Sequence, residues 1–398
     1  MAWGTVNVSE QRMRFVVLAS RGEKTMQELC AEFAISRPTG YEWLRRYERG
    51  GVAGVAEKSR RPQHIFQQTA VEIAQRVVEL RRQRPDWGAK KLRVLLQREG
   101  LVVPRITIHR ILLRHGLVRP EDGHRAAVQR FERGAPNELW QMDFKGSSGW
   151  NAVTGPLSVL DDHSRYAITL AETGSTRAEA VRERLEEAFQ RCGVPDGILM
   201  DHGTPWWNMQ AAAGWTWLTV WLMKQGMKLH FSGYRHPQTQ GKVERFHGSL
   251  EAARRKRDRS ESESEQQWYD AFRQEYNDQR PHEALGMKTP SSLWRPSARR
   301  YQAHPAAWEY PSEAEVRRLG AAGQIQIQGR RWDISKALAG EWVQLVRIGE
   351  RILVYYCRSV VRELDPAHQK STAMSRWQGG SGPDLDPEKC KGCYETAV

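Results

Sequence analysis

The sequence predicts a multidomain protein: helical units at the amino end, a mixed α/β layer in the middle, and a small all-β module near the carboxyl end. Three observations predict this. At 398 residues the chain is long enough for two or three domains. Its apolar periodicity is helical up to about Leu139, turns strand-like there, and turns strand-like again, with glycines as punctuation, beyond residue 306. The formal charge of +14 is also unevenly spread, with 26 Lys and Arg against 15 Asp and Glu in residues 1–140 and 35 against 32 in the rest. A basic surplus of this kind suits a polyanionic partner, most often nucleic acid, and places the electrostatic footprint in the first third.

The first helical unit, 1–60, starts from local signals. Thr25 and Glu28 have capping-box spacing, and a helix Thr25–Phe33 carries Leu29 and Phe33 one turn apart. After a three-residue turn Ser36 caps a second helix, Arg37 to about Arg49, with Pro38 tolerated in its first turn. Two capped helices around a tight turn, the second rich in arginine, form a helix-turn-helix pattern in which Arg37, Thr39 and Arg45 face a DNA groove or its phosphates. The bland alternative for this segment alone is a helical hairpin with a solvated basic face. A second unit, 61–118, repeats the pattern with Ile73–Arg84, Trp87–Arg98 and Thr107–His115. In the last of these Ile108, Ile111 and Leu112 face inward, while Arg105, His109, Arg110 and Arg114 face out. The basic join Glu57–Pro62, with Arg60 and Arg61, suits a phosphate backbone, and 119–137 reads as a polar linker.

Strands then alternate with helices over 138–295. Trp140–Phe144 is an apolar run with one carboxylate, Asp143; Leu157–Leu160 and Tyr166–Leu170 flank a turn; Thr176–Arg191 is a helix; Gly197–Met200 is a buried strand ending at Asp201. Ala211–Gln225 reads as a core helix, Lys228–Ser232 as a strand, and Gln240–Arg257 as a helix bearing Glu244. The β module spans 306–365. Composition beyond it turns to Ser, Gly, Pro and charge, so 366–398 is expected to be disordered.

Asp143 inside an apolar strand calls for a charge partner or a metal, because an unpaired buried carboxylate is costly. Asp201 at a strand end and Glu244 at a helix start complete a set of carboxylates from three elements, the arrangement that metal-assisted phosphoryl transfer uses. Leu139-Trp-Gln-Met-Asp143, Leu160-Asp-Asp-His-Ser-Arg-Tyr166, Asp201-His-Gly203, the stretch His236–His247 and Tyr276-Asn-Asp-Gln-Arg-Pro-His282 together resemble the core of bacterial insertion-sequence transposases. The resemblance is to the retroviral-integrase-like DDE group, and within it to the IS481-type family with paired amino-terminal helix-turn-helix units.

That resemblance implies an RNase H-like fold for the α/β core. It implies Asp143, Asp201 and Glu244 as the catalytic and metal-binding triad, two Mg²⁺ ions with Mn²⁺ as a substitute, and cleavage and joining of DNA strands. The implied partners are double-stranded DNA, as terminal inverted repeats and target, and further copies of the chain. Lys242, Arg245, Arg254, Arg255, Lys256 and Arg257 are expected to meet DNA phosphates. Two departures are visible: 42 residues separate Asp201 from Glu244, longer than the usual integrase spacing, and His202 stands where the family usually has Asn.

Other features are set aside. Asp161 and Asp162, beside Ser164, fit turn chemistry better than a metal site. Cys390 and Cys393 have half of a zinc spacing, and the five cysteines are scattered rather than arranged as a disulfide framework. Of Trp206, Trp207, Trp215, Trp217 and Trp221, which follow Asp201, most are assigned to core packing, the alternative being stacking on unpaired bases. No apolar run approaches the ~18 residues of a membrane span, and the first twenty residues lack the order of a secretory signal. A soluble, cytoplasmic, nucleoid-associated protein of a bacterium is expected. Two rival readings use the same residues: a helix-turn-helix regulator with an inactive core, and a metal-dependent nuclease that never joins strands.

Overall fold

The computed structural model describes residues 8–57, 69–118, 132–146, 155–208, 214–232, 240–256 and 264–373. The chain divides into two compact units, Met1–Thr69 and Ala70–Val398.

The first unit holds α1 (Val8–Arg21), α2 (Met26–Glu32) and α3 (Arg37–Val55). Both predicted caps form. Thr25 and Glu28 close a capping box on α2, and the Ser36 hydroxyl accepts from Thr39 N on α3. Phe15 and Val16 of α1 are buried against Leu29, Cys30 and Trp43. Gly40 makes the close crossing possible, since a Cβ there would lie 2.6 Å from Cys30 Sγ and 2.9 Å from the Phe15 ring. Arg12 and Arg46 each lie over the Trp43 ring, at 4.3 and 4.2 Å. Helix α1 was not read from the sequence, although the unit's core depends on it. Helix α3 runs past Arg49 through a kink at Gly51, whose φ of 56° only glycine adopts readily.

The second unit begins with α4 (Val71–Gln83), α5 (Ala89–Arg98) and α6 (Arg105–Arg114). These close on Val77, Leu80, Trp87, Leu92, Leu96, Ile108 and Ile111. Helix α6 starts two residues before the expected Thr107 because Pro104, with φ −60° and ψ 140°, forms its N-cap.

The central sheet has the order β3-β2-β1-β4-β5, built from β1 (Trp140–Phe144), β2 (Leu157–Asp161), β3 (Ala167–Ala171), β4 (Gly197–Met200) and β5 (Lys228–Phe231). The β1–β2 and β2–β3 pairs are antiparallel, while β1–β4 and β4–β5 are parallel. Helices α7 (Ala178–Cys192) and α8 (Trp217–Lys224) contribute to one core, with Leu185, Phe189, Leu218 and Leu222. The other core joins Leu160, Ala167 and Leu170 to α9 (Gly241–Lys256) and α10 (Glu265–Asp278). A sheet covered on both faces explains why its strands read as unbroken apolar runs. Helix α8 is shorter at its start than the expected Ala211–Gln225, and 209–213 lie outside the described residues. Helix α10 was missed, although Ser264 and Gln267 form a capping box that marks its start.

The β module forms a sheet of order β12-β11-β10-β9-β6, made of β6 (Glu315–Arg318), β9 (Trp342–Ile348), β10 (Arg351–Tyr356), β11 (Ser359–Asp365) and β12 (Lys370–Ala373), plus the hairpin of β7 (Gln324–Ile327) and β8 (Arg330–Asp333). One expectation needs correcting. Residues 370–373, placed in the disordered tail, form β12, with Arg362 opposite Ala373 and Asp365 opposite Lys370. An edge strand solvated on one face needs little apolar character, so composition hid it. Cys390 and Cys393 lie outside the described residues.

Candidate active site

Strand β1 alternates: Trp140 and Met142 are fully buried, and the register places Asp143 opposite Ser158 on β2. Asp201 follows the last residue of β4, the parallel neighbour of β1. Glu244 stands in the first turn of α9, which packs on β1 and β2 through its buried Val243, Phe246 and Leu250. The fold thus draws the three carboxylates from three elements toward one end of the sheet.

Their electrostatics are coupled. Burial first, the Asp201 carboxylate second and Glu244 further down raise the Asp143 pKa to about 7. Burial also raises the pKa of Glu244. Asp201 is held by two donors on one oxygen: Gly203 N at 2.9 Å and the Trp206 indole N–H at 2.7 Å both reach Oδ1. The Trp206 ring stacks on Phe144, the neighbour of Asp143, with centroids 5.6 Å apart and planes 9° apart. Gly203 is required there, because a Cβ would come within 2.9 Å of the same carboxylate.

His247, one turn beyond Glu244, has Nε2 2.9 Å from Ser158 Oγ and Nδ1 3.9 Å from Asp143 Oδ2. Burial, with Lys145 adding to it, lowers its pKa to about 4, so at neutral pH it faces Asp143 as a neutral ring. Neighbouring carboxylate oxygens of like charge are what a divalent cation relieves, and Asp143, raised by burial and by the Asp201 carboxylate beside it, fits one on that ground. Among the described residues no three His, Cys, Asp or Glu side chains gather closely enough to hold a single ion.

Two of the residues expected at DNA phosphates are engaged elsewhere. Lys242 Nζ is 2.5 Å from Asp162 Oδ1 and donates to the Asp162 carbonyl at 2.9 Å, with the Asp162 side chain fully buried. Arg254 is buried, with a guanidinium nitrogen 3.9 Å from Glu265. Arg245 and Arg255 are exposed, although Arg255 also bonds Glu251 at 3.0 Å, and Lys256 is half-buried. In the helix-turn-helix units Arg37, Arg45, Arg105 and Arg110 are exposed and His109 is half-buried, while the Thr39 hydroxyl is 2.8 Å from Ser36 Oγ at the cap. Arg60, Arg61, His236 and Arg257 lie outside the described residues.

Asp161 and Asp162 build the turn that their spacing suggested. Asp161 accepts from Ser164 N, Ser164 Oγ and Asn137 N, and Asp162 from Arg133 N and Gln141 Nε2. Trp206, Trp207, Trp215 and Trp221 are buried, as packing requires. The hydrogen bond from Trp206 to Asp201 was missed, and its only sequence signal is an indole five residues after the carboxylate.

Comparison with known proteins gives domain matches along the chain. Residues 133–237 and 225–290 match family models of the integrase core domain, 11–63 a helix-turn-helix domain, and 39–112 a homeodomain-like domain. These matches define a DNA-binding enzyme of the polynucleotidyl-transferase type. The chain carries an integrase core domain behind helix-turn-helix domains, and in this it is similar to insertion-sequence transposases.

Among its relatives is an uncharacterized 31.7 kDa protein of insertion element IS407 from Burkholderia multivorans, 29% identical over 56% of this chain and 80% of that protein. Another, from Mycobacterium tuberculosis, is named as a transposase candidate for insertion sequence element IS986/IS6110; it is 28% identical over 28% of this chain and 46% of that protein. Among solved structures, the HTLV-2 integrase catalytic core in complex with magnesium aligns with 14% identity and a TM-score of 0.32, over 40% of this chain and 97% of that one. A simian T-cell lymphotropic virus intasome structure aligns with 14% identity and a TM-score of 0.37, over 70% and 91%. Among the described residues no helix is long and apolar enough to cross a membrane.

Proposed function

We propose that this transposase binds the terminal inverted repeats of its own element through residues 1–118, and cleaves and joins DNA strands at Asp143, Asp201 and Glu244. The observation that carries this reading is Asp143 on β1, buried and raised to about 7 by that burial, with the Asp201 carboxylate and then Glu244 adding to the shift. Acidic side chains with no shared task are not usually packed at such a cost. The domain limits are taken as 1–60, 61–118, 119–137 and 138–295, with the β module running from 306 through β12 to 373. The IS481-type grouping rests on the paired helix-turn-helix units.

Asp143, Asp201 and Glu244 hold the divalent cations, Mg²⁺ with Mn²⁺ as substitute. When bound, these supply the positive charge that stabilises the attacking and leaving oxygens of an in-line displacement at phosphorus. The chain's own residues set the stage. Trp206 and Gly203 both hold Oδ1 of Asp201, and among the described residues no donor reaches its other oxygen. His247, neutral and bonded to Ser158, packs beside Asp143 without cancelling its charge. Arg245, exposed next to Glu244, meets a DNA phosphate, and Arg37, Arg45, Arg105 and Arg110 read or grip the repeat. Joining two ends to a target requires more than one copy on DNA, in the bacterial cytoplasm at the nucleoid.

Purified protein with Mg²⁺, labelled element-end DNA and a plasmid target, set beside Glu244→Gln, tests this. Joined products from the wild type alone support the reading. Cleavage without joining replaces it with a nuclease, and end binding without any Mg²⁺-dependent product replaces it with a regulator.

A further inference from the structure

The stretch Tyr276-Asn-Asp-Gln-Arg-Pro-His282, at the end of α10, contributes none of the three carboxylates, yet Tyr276, Asn277 and Arg280 in it are buried. Asn277 accepts from Ala167 N at 2.8 Å and donates to Ala167 O at 3.0 Å, so one amide closes the edge of β3 as another strand would. Tyr276 packs edge-on against Phe246 of α9 and against the His282 ring. Arg280 reaches out of this cluster to the second helix-turn-helix unit. Its Nη1 lies 2.6 Å from Asp86 Oδ2, with the Asp86 side chain 0% exposed and that of Arg280 6% exposed. Its guanidinium lies 5.7 Å from the centroid of the fully buried Trp87, which Arg84 also approaches, at 5.2 Å. Its Nη2 donates to Ser249 Oγ at 3.4 Å, on the same helix as Glu244.

Three further polar contacts cross the same junction. Lys90 pairs with Glu283 at 2.5 Å, Arg84 donates to the Gln279 side chain at 2.8 Å, and Arg98 donates to the Gln279 carbonyl at 3.2 Å. Arg81 buttresses the loop from within, donating to Trp87 O and Leu117 O. An ion pair hidden from water with an aromatic ring beside it is not the loose, exposed contact that a mobile reading domain makes with its neighbour.

We propose that Asp86 and Trp87, gripped by Arg280, form a clasp that fixes the second helix-turn-helix unit to the helices bearing Glu244, so that a DNA end held by that unit meets the carboxylates in one register. Arg280 is a positioning residue, acting through Ser249 and α9 rather than on DNA. The DNA part of this inference rests on the transposase reading; the clasp itself does not.

The full-length chain is compared as wild type, Asp86→Asn, Arg280→Met, and the double variant Asp86→Leu with Arg280→Met. The readouts are amide hydrogen exchange over 84–98 and 241–256, affinity for element-end DNA, and the single-turnover rate of joining a pre-cleaved end. Each single variant strands a buried charge or its partner, whereas the double removes both, a change that proteins often tolerate. The expected result is about tenfold faster exchange in both segments and about tenfold slower joining in the single variants, end affinity within about threefold of wild type, and recovery in the double variant. Wild-type exchange rates in the single variants, or a double variant as defective as they are, overturn the clasp. If no protein joins DNA, wild type included, the functional reading fails, and exchange alone decides the clasp.

Discussion

The Trp206 indole N–H donates to Asp201 Oδ1 at 2.7 Å, while the same ring stacks on Phe144 beside Asp143. One side chain therefore sets the orientation of one acidic residue and the spacing of the strands that carry two. Trp206→Phe keeps the stack and deletes the donor. Groups that orient a metal-binding carboxylate typically carry about 10–100-fold of affinity or activity. We expect a loss in that range in Mg²⁺-dependent joining, with far-ultraviolet circular dichroism and end binding unchanged; full activity in the variant refutes the role.

Gly203 has a narrower tolerance. A methyl group at that position lies 2.9–3.3 Å from the Asp201 carboxyl atoms, so the side chain must rotate away from its two donors. Gly203→Ala is expected to match Trp206→Phe in rate. Combining the two changes should cost less than the sum of their separate effects, because both act through one carboxylate.

Lys242 and Arg245, three residues apart on α9, part company in the structure. Removing the Lys242 ammonium takes one cation from the fully buried Asp162, which keeps its bonds from Arg133 N and Gln141 Nε2, so the cost falls below the roughly 3–5 kcal/mol of a fully stranded partner. Lys242→Met should lower stability in urea titration and leave the salt dependence of DNA binding alone. Arg245→Gln should do the reverse, reducing the slope of log affinity against log salt by about 0.9 with stability intact.

Lys91 provides the pH test. Burial first and Arg280 second pull its pKa down to about 7, against the opposing carboxylates of Asp86, Glu283 and Glu275. Between that value and its ordinary 10.5 the unfolded chain binds more protons than the folded one, so this residue's contribution to stability rises with pH through that window. The cost of burying the ammonium is fully present below pH 7. Lys91→Met should therefore melt higher than wild type at pH 6.5, and the gap should narrow by pH 9 and close only as pH approaches 10.5. A constant gap in melting midpoint refutes the assignment.

Helix caps, strand runs and the order of helical, mixed and β segments were legible because each is written in a few neighbouring residues. Thr25 with Glu28, Ser36 and the apolar Gly197–Met200 formed as read. Helix α1 escaped although Asn7 followed by Glu10 has the spacing of a helix start, and β12 because an edge strand need not be apolar. The three candidate carboxylates were picked out as acids in costly positions, together with the family resemblance. The sequence carried no sign that Lys242 turns inward to Asp162 while Arg245 does not, since both are basic residues on one polar helix.

The sequence by itself determined the charge asymmetry, the local elements and which carboxylates stand in apolar surroundings, because propensity, capping and periodicity act over a few residues. Only the tertiary structure decided that Trp206 holds Asp201, that Asn277 closes β3, and that Arg280 reaches Asp86 across 194 positions. Those contacts depend on how strands and helices pack, and the burial that makes a charge costly and a partner necessary arises only when distant segments exclude water together.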